Sequence, residues 1–246
     1  MRTLLLLLLP LAASPQGLHD QKWLFDKYIL LDFATEPPAL SLEAPSPWLG
    51  PGDHNTSICD RDGNLLFYSG GCFVGNRLHQ VMENGDHINS DYAYTGWCNY
   101  GDLPITHNNT IVPWPGDTNK YILFNLDMNP PVPPDIHLRP KFLYYHVVDM
   151  SANAGLGAVV EKKKVAVAHQ FLSIGFVCAA KQSSGDGWWV VVPKSLSNCY
   201  FVVPVTASGV GAPQEQCLGM AFSEADSGGQ ATFSPDGTQY ARIEAD

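Results

Sequence analysis

Charge is scarce in this chain. Of 246 residues only 15% are Asp, Glu, Lys or Arg, against roughly 25% in an average soluble protein. Long solvated helices need charged faces, and no segment shows a sustained helical period. Long apolar runs are also missing beyond the N-terminus, where a bilayer span would need about 18 or more such residues. Basic residues are outnumbered, 14 Lys and Arg against 24 Asp and Glu, for a formal net charge of -10. Such a chain repels phosphates, which argues against nucleic acid and anionic lipid as partners. What the sequence does hold is 22 Gly, 19 Pro and 45% apolar residues. Many turn formers among apolar residues predict many short strands in an all-β protein.

The signatures of known catalytic chemistry are absent too. The eight histidines show no HExxH, and the cysteines show no CxxC spacing, so no metal ligand is nominated. "FLSIG" at Phe171–Gly175 lacks the first glycine of a nucleophile elbow. No phosphate loop or dinucleotide fingerprint occurs. With 24 carboxylates available, spacing alone singles out no glycosidase pair. "DRDGN" places Asp60, Asp62 and Asn64 at calcium-loop positions 1, 3 and 5, but Gly71 stands where the loop's glutamate belongs. It reads as a turn whose side chains bond local backbone. No catalytic residue and no cofactor is expected.

The first 17 residues read as a signal peptide. Arg2 precedes an apolar run from Leu4 through Leu9 to Leu11, and Ala12, Ala13 and Ser14 follow. The remaining residues, 18–246, form one domain. Export gives meaning to Cys59, Cys72, Cys98, Cys178, Cys199 and Cys217: an even number in an exported chain points to disulfides. Proximity along the chain suggests Cys72–Cys98 and Cys199–Cys217. The expected location is extracellular or at the cell surface, without membrane insertion.

Four hairpins share one grammar. "SICDRDGNLLFYS", "NNTIVPWPGDTNKYILFNL", "GFVCAAKQSSGDGWWVVVP" and "GQATFSPDGTQYARI" each run strand, Asp/Gly turn, strand. Asp62-Gly63 suggests a type I′ turn. Gly63, Asp117, Gly187 and Gly237 are spaced by 54, 70 and 50 residues. A period of about 40 to 50 residues stretched by insertions marks propeller blades. "FLYYHVVDM" and "NCYFVVPVT" fit as strands outside their hairpins. This regularity favours a partial β-propeller of about three four-stranded blades plus the first hairpin of another, over a β-sandwich.

The blocks "ICDRDGNLLFYSGGCFVGNRLHQVMENGD", "YYHVVDMSANAGLGAVVEKKKV", "GDGWWVVVP" and "GGQATFSPDGTQYA" resemble the N-terminal β-propeller region, with WD40-like repeats, of large secreted surface proteins of gliding bacteria. The likeness runs from about Trp23 onward. Those proteins are cargo of the type IX secretion system, so the resemblance implies a propeller and a surface address. The chain stops one hairpin into a further unit, so the remaining blades or a completing partner chain are expected partners. Trp188 and Trp189 read as packing between blades. Trp97 and Tyr100, in the loop-like "TGWCNYGD", are the candidate ligand-binding residues, because aromatic rings hold sugar faces or partner side chains at low entropic cost. The expected function is non-enzymatic binding or adhesion to an extracellular protein or glycan. The alternative is a secreted carbohydrate-active enzyme with its site at the propeller channel.

Overall fold

In the computed structural model, residues 18–25, 29–42, 55–100, 103–131, 140–221 and 229–244 are described. The expected signal peptide, residues 1–17, and most of the proline-rich insertion lie outside them.

The protein is all-β. Among the described residues seventeen strands form five antiparallel sheets, none closed on itself. Sheet 1 holds β1 (Lys22–Phe25), β2 (Ile29–Asp32) and β3 (Ala39–Leu42). Sheet 2 holds β4 (Thr56–Cys59), β5 (Leu65–Ser69) and β6 (Val74–Asn76). A short helix, α1 (Asp91–Gly96), precedes sheet 3, which holds β7 (Asn109–Pro113), β8 (Lys120–Leu126), β9 (Phe142–Asp149) and β10 (Ala158–Ala168). Sheet 4 holds β11 (Cys178–Lys181), β12 (Trp188–Pro193) and β13 (Cys199–Thr206), with β14 (Gly209–Val210) and β15 (Gln214–Cys217) both on the outer edge of β13. Sheet 5 is the hairpin β16 (Gly229–Phe233) and β17 (Tyr240–Glu244). The four expected hairpins are β4–β5, β7–β8, β11–β12 and β16–β17, and β9 and β13 lie outside theirs. The strand count per sheet is three, three, four, five and two among the described residues, which does not reproduce the expected count of three four-stranded units. Sheet 1 was missed because its strands carry no Asp-Gly turn.

Alternation with period two explains the stacking. On β8, Tyr121 and Leu123 point into a core shared with Ile58, Phe67 and Val74 of sheet 2. Ile122, Phe124 and Leu126 point the other way, onto Val190, Val192, Val203 and Val205 of sheet 4. Sheet 4 repeats the device, since Val191 and Cys178 turn toward Ala231 of sheet 5. Leu24 and Leu30 of sheet 1 pack on Tyr68 of sheet 2. Fully burying each such side chain stabilises by about 1.5–3 kcal/mol. Successive sheets therefore stack face to face.

The first strand of each sheet neighbours the first strand of the next: β1 beside β4, β4 beside β7, β7 beside β11, and β11 beside β16. The segment before β7 stitches this inner row together. Val177 donates its N–H to His107 O at 3.0 Å, and Gly229 donates to Thr106 Oγ1 at 3.1 Å. The outer edge strand β10 carries Glu161 and three lysines and is broken by register shifts. Charge and bulges of this kind discourage edge-to-edge pairing. Lys162 also reaches Asp86, at 3.3 Å, tying sheet 3 back to the segment that follows sheet 2.

Candidate functional site

The inner row of first strands encloses an open groove of about 1770 Å³. Its walls come from β1, β4, β7, β11 and β16, and its mouth from hairpin turns that all reach the same end: Arg61, Trp114 to Thr118, Asp186, and Ser234 to Gly237.

Local chemistry sets those turns. The expected type I′ turn at Asp62-Gly63 is not formed, because only Gly63 has a positive φ, of 85°. Instead Gly63 N–H donates to Asp60 O at 3.2 Å. The Asp60 carboxylate accepts from the N–H groups of Asp62 and Asn64, both at 2.9 Å. This is a type I turn closed by a glycine bulge. The aspartate-backbone reading of "DRDGN" therefore stands in the geometry. Partial burial raises the Asp60 pKa, but the donors from Asn64 and Asp62 together outweigh it and hold it below the ordinary value. Ser234–Gly237 is built alike. Gly237 N–H bonds Ser234 O at 2.8 Å, and Asp236 is held low in pKa by the Ser234 hydroxyl and the Thr238 N–H. Trp114-Pro115-Gly116-Asp117 follows a type II pattern, with φ of 82° at Gly116 and Asp117 N–H on Trp114 O at 3.2 Å.

Three tryptophans line the groove. Trp23 is 47% exposed, with Phe33 behind it at 5.0 Å between ring centroids. Trp114 is anchored by its indole N–H to Ala207 O at 3.3 Å. Trp188 is half-buried against the core between sheets 3 and 4, with Lys181 Nζ 5.8 Å from its ring centroid. Lys181 also pairs with Asp186 at 3.8 Å. Between the rings, Asn55, Thr56, Thr110, Gln182, Gln230 and Thr232 supply amides and hydroxyls. The chemistry this surface offers is ring stacking and neutral hydrogen bonds.

Trp97 sits elsewhere. It follows α1, donates its N–H to Ala93 O at 2.9 Å, and packs half-buried with Cys72, Phe73, Ala93, Leu103 and Ile105. Tyr100 lies in the 3-10 turn Cys98–Tyr100, and its side chain is outside the described ones. Trp97 is therefore not among the residues that line the groove. The two expected disulfides, Cys72–Cys98 and Cys199–Cys217, are both present. Cys59 and Cys178 are free and buried. Among the described residues, Cys199, Glu215 and Cys217 come together as metal-ligand types, but their disulfide consumes both sulfurs.

Comparison with family models, curated proteins and solved structures finds no match in any of the three.

Sequence reasoning passed over Trp23 and the small polar residues of the first strands. A signal was present. "NTSIC", "NNTIV" and "GQATF" place Asn, Thr or Gln in or beside the opening strand of three of the four hairpins, the strand that the fold turns inward.

Proposed function

We propose that this chain is an exported β-propeller module, secreted or held at the cell surface, that binds an extracellular protein or glycan without transforming it. The observation that carries the proposal is the groove of about 1770 Å³ at the inner strands, lined by three tryptophans and neutral polar groups. The propeller reading is supported by the run of small antiparallel sheets whose first strands are neighbours. Export is supported by the Arg2-led apolar run and by two disulfides, which persist in oxidising compartments. Among the described residues no helix is long and apolar enough to cross a membrane. The resemblance to surface proteins of gliding bacteria favours the same address and the type IX route.

Two measurements test this. The intact mass of exported material is expected to lack the first 13 to 17 residues, and recovery of the uncleaved chain from the cytosol would refute export. A glycan array and a protein-capture screen, run with a turnover assay on every hit, are expected to show retention without product. Turnover would instead favour a carbohydrate-active enzyme acting in the same groove.

A further inference from the structure

We infer that the occupant of the groove is an uncharged glycan chain, laid along the inner strands and stacked on Trp23, Trp114 and Trp188. This rests on the binding-module reading and narrows it to one ligand class.

Size is one constraint. At about 1770 Å³ the groove exceeds the roughly 300–1,000 Å³ of pockets that fit a single small molecule. It suits a chain of several units.

The three rings are also held in place. Trp114 is fixed by its bond to Ala207 and by Gly209, where an added Cβ would lie 3.2 Å from the indole. Trp188 is fixed by the core beneath it and by Lys181. Trp23 is propped by Phe33 and Phe25, at 5.0 and 6.1 Å. Rings held in place before the ligand arrives lose little entropy on binding, and a sugar presents them a flat face of C–H groups.

Charge is another constraint. The lining carries the carboxylates of Asp20, Asp117, Asp186 and Asp236 against the fixed cations of Arg61 and Lys181. Lys181 is already engaged with Asp186. The Asn119 backbone N–H, with Lys120 at 3.2 Å, holds Asp117 ionised. A polyanion entering this groove meets net repulsion, inside a chain of formal charge -10. Neutral hydroxyls meet the amides and hydroxyls of Asn55, Thr110, Gln230 and Thr232.

The shape of the inner edge separates glycan from peptide. A peptide strand adds to a long continuous sheet edge. Here the inner edge is divided among five strands of four or five residues, each from a different sheet. No single edge offers a peptide a register to follow.

The test is affinity electrophoresis and fluorescence titration of the folded chain near neutral pH, in about 0.15 M salt to screen weak surface charge. The probes are neutral polysaccharides (laminarin, xyloglucan, galactomannan) and anionic ones (alginate, polygalacturonate). At least one neutral polymer is expected to retard the protein, and neither anionic one. Trp23→Ala, Trp114→Ala and Trp188→Ala are each expected to weaken binding about tenfold, the scale of one lost stacking contact. Trp97→Ala should leave it unchanged. Should an indole variant unfold, protection of wild-type tryptophan fluorescence from acrylamide by the neutral oligosaccharide gives the same answer. Retention by anionic polymers alone, capture of a protein alone, or neutral binding indifferent to all three tryptophans would overturn this inference and leave the module reading standing. No retention by any of the five polymers would also overturn it. The module reading would fall only if the array and the protein-capture screen were empty too. Shortening of a bound neutral glycan would refute the non-enzymatic reading and leave the ligand class intact.

Discussion

His146 is fully buried on β9 and surrounded by polar partners. Its Nε2 donates to Asn125 Oδ1 at 2.7 Å, and its Nδ1 accepts the Lys163 N–H at 3.2 Å. Burial, with Lys162 and Lys163 nearby, pushes its pKa down to about 3. An unfolded histidine titrates near 6.5, so between those values the unfolded chain takes up the proton and the folded one does not. Its contribution is complete above about pH 6.5 and is lost as pH falls toward about 3. Denaturant melts from pH 7 to pH 5 should show stability falling by up to about 1.4 kcal/mol per pH unit through this residue. His146→Gln should flatten that slope, and an unchanged slope would place the acid sensitivity elsewhere. The cysteines divide by burial in a similar way. Burial drives the thiols of Cys59 and Cys178 up to about 11 and about 12, so both should resist alkylation in the native state. Labelling in denaturant without reductant should find these two thiols. A graded dithiol should open Cys199–Cys217, where Cys217 is exposed, before Cys72–Cys98, where Cys72 is buried. The reverse order would contradict the burial argument.

At the scale of elements, backbone closeness decides more than propensity. Gly175 leads into β11 with φ of 86°, and a Cβ there would sit 2.2 Å from Thr106 O. That carbonyl lies in the segment that stitches the inner strands, so it has little room to yield. Gly175→Ala is expected to destabilise by about 3 kcal/mol or more, combining left-handed strain with a backbone clash. Gly185 has a similar φ of 80° but open space around it. Gly185→Ala should cost only about 1 kcal/mol, the left-handed term alone. Thermal melts of the pair separate the two effects, and equal losses would show that contact with Thr106 does not matter. The base of the proline-rich insertion has its own clamp. Asp127 Oδ1 accepts the N–H groups of Lys141 and Phe142, at 2.7 and 2.9 Å. Burial raises the Asp127 pKa while those donors oppose it. The two ends of the insertion are thereby held at the edge of β8 and β9, whatever lies between.

Across the whole molecule, the core is unevenly distributed. Sheets 3 and 4 share the broadest buried cluster, from Val112 and Phe124 to Val203 and Val205. Sheet 1 is held through Leu24 and Leu30 on Tyr68 and Leu65, while Leu40 and Leu42 of β3 are exposed. Local stability follows buried apolar contact. Amide exchange should therefore be slowest in β8, β9, β12 and β13 and fastest in β1 to β3, with β16 and β17 between. Uniform protection across the five sheets would mean that they open as one unit. The same unevenness places the most rigid walls of the groove, Trp114 and Trp188, on the most stable sheets, and Trp23 on the least stable one.

Four hairpins, both disulfides and the outer strands β9 and β13 were legible in the sequence, because turn chemistry and cysteine proximity act over short stretches of chain. The type I′ turn was misjudged, since the Asp60 side chain competes for the Asp62 and Asn64 N–H groups and leaves only Gly63 left-handed. Sheet 1 escaped notice for want of any such local mark. The groove was legible least of all. Its walls come from Trp23, Thr56, Thr110, Lys181 and Gln230, residues far apart in the chain that meet only when five sheets stack with their first strands side by side. Which face of an alternating strand turns inward depends on what the neighbouring sheet buries, as β8 shows with Tyr121 and Leu123 on one side and Phe124 on the other. Composition, hairpin grammar and the pairing of near cysteines follow from the sequence by itself, because each depends on residues close along the chain. The location of the groove depended on tertiary structure, because burial is settled between sheets rather than within them.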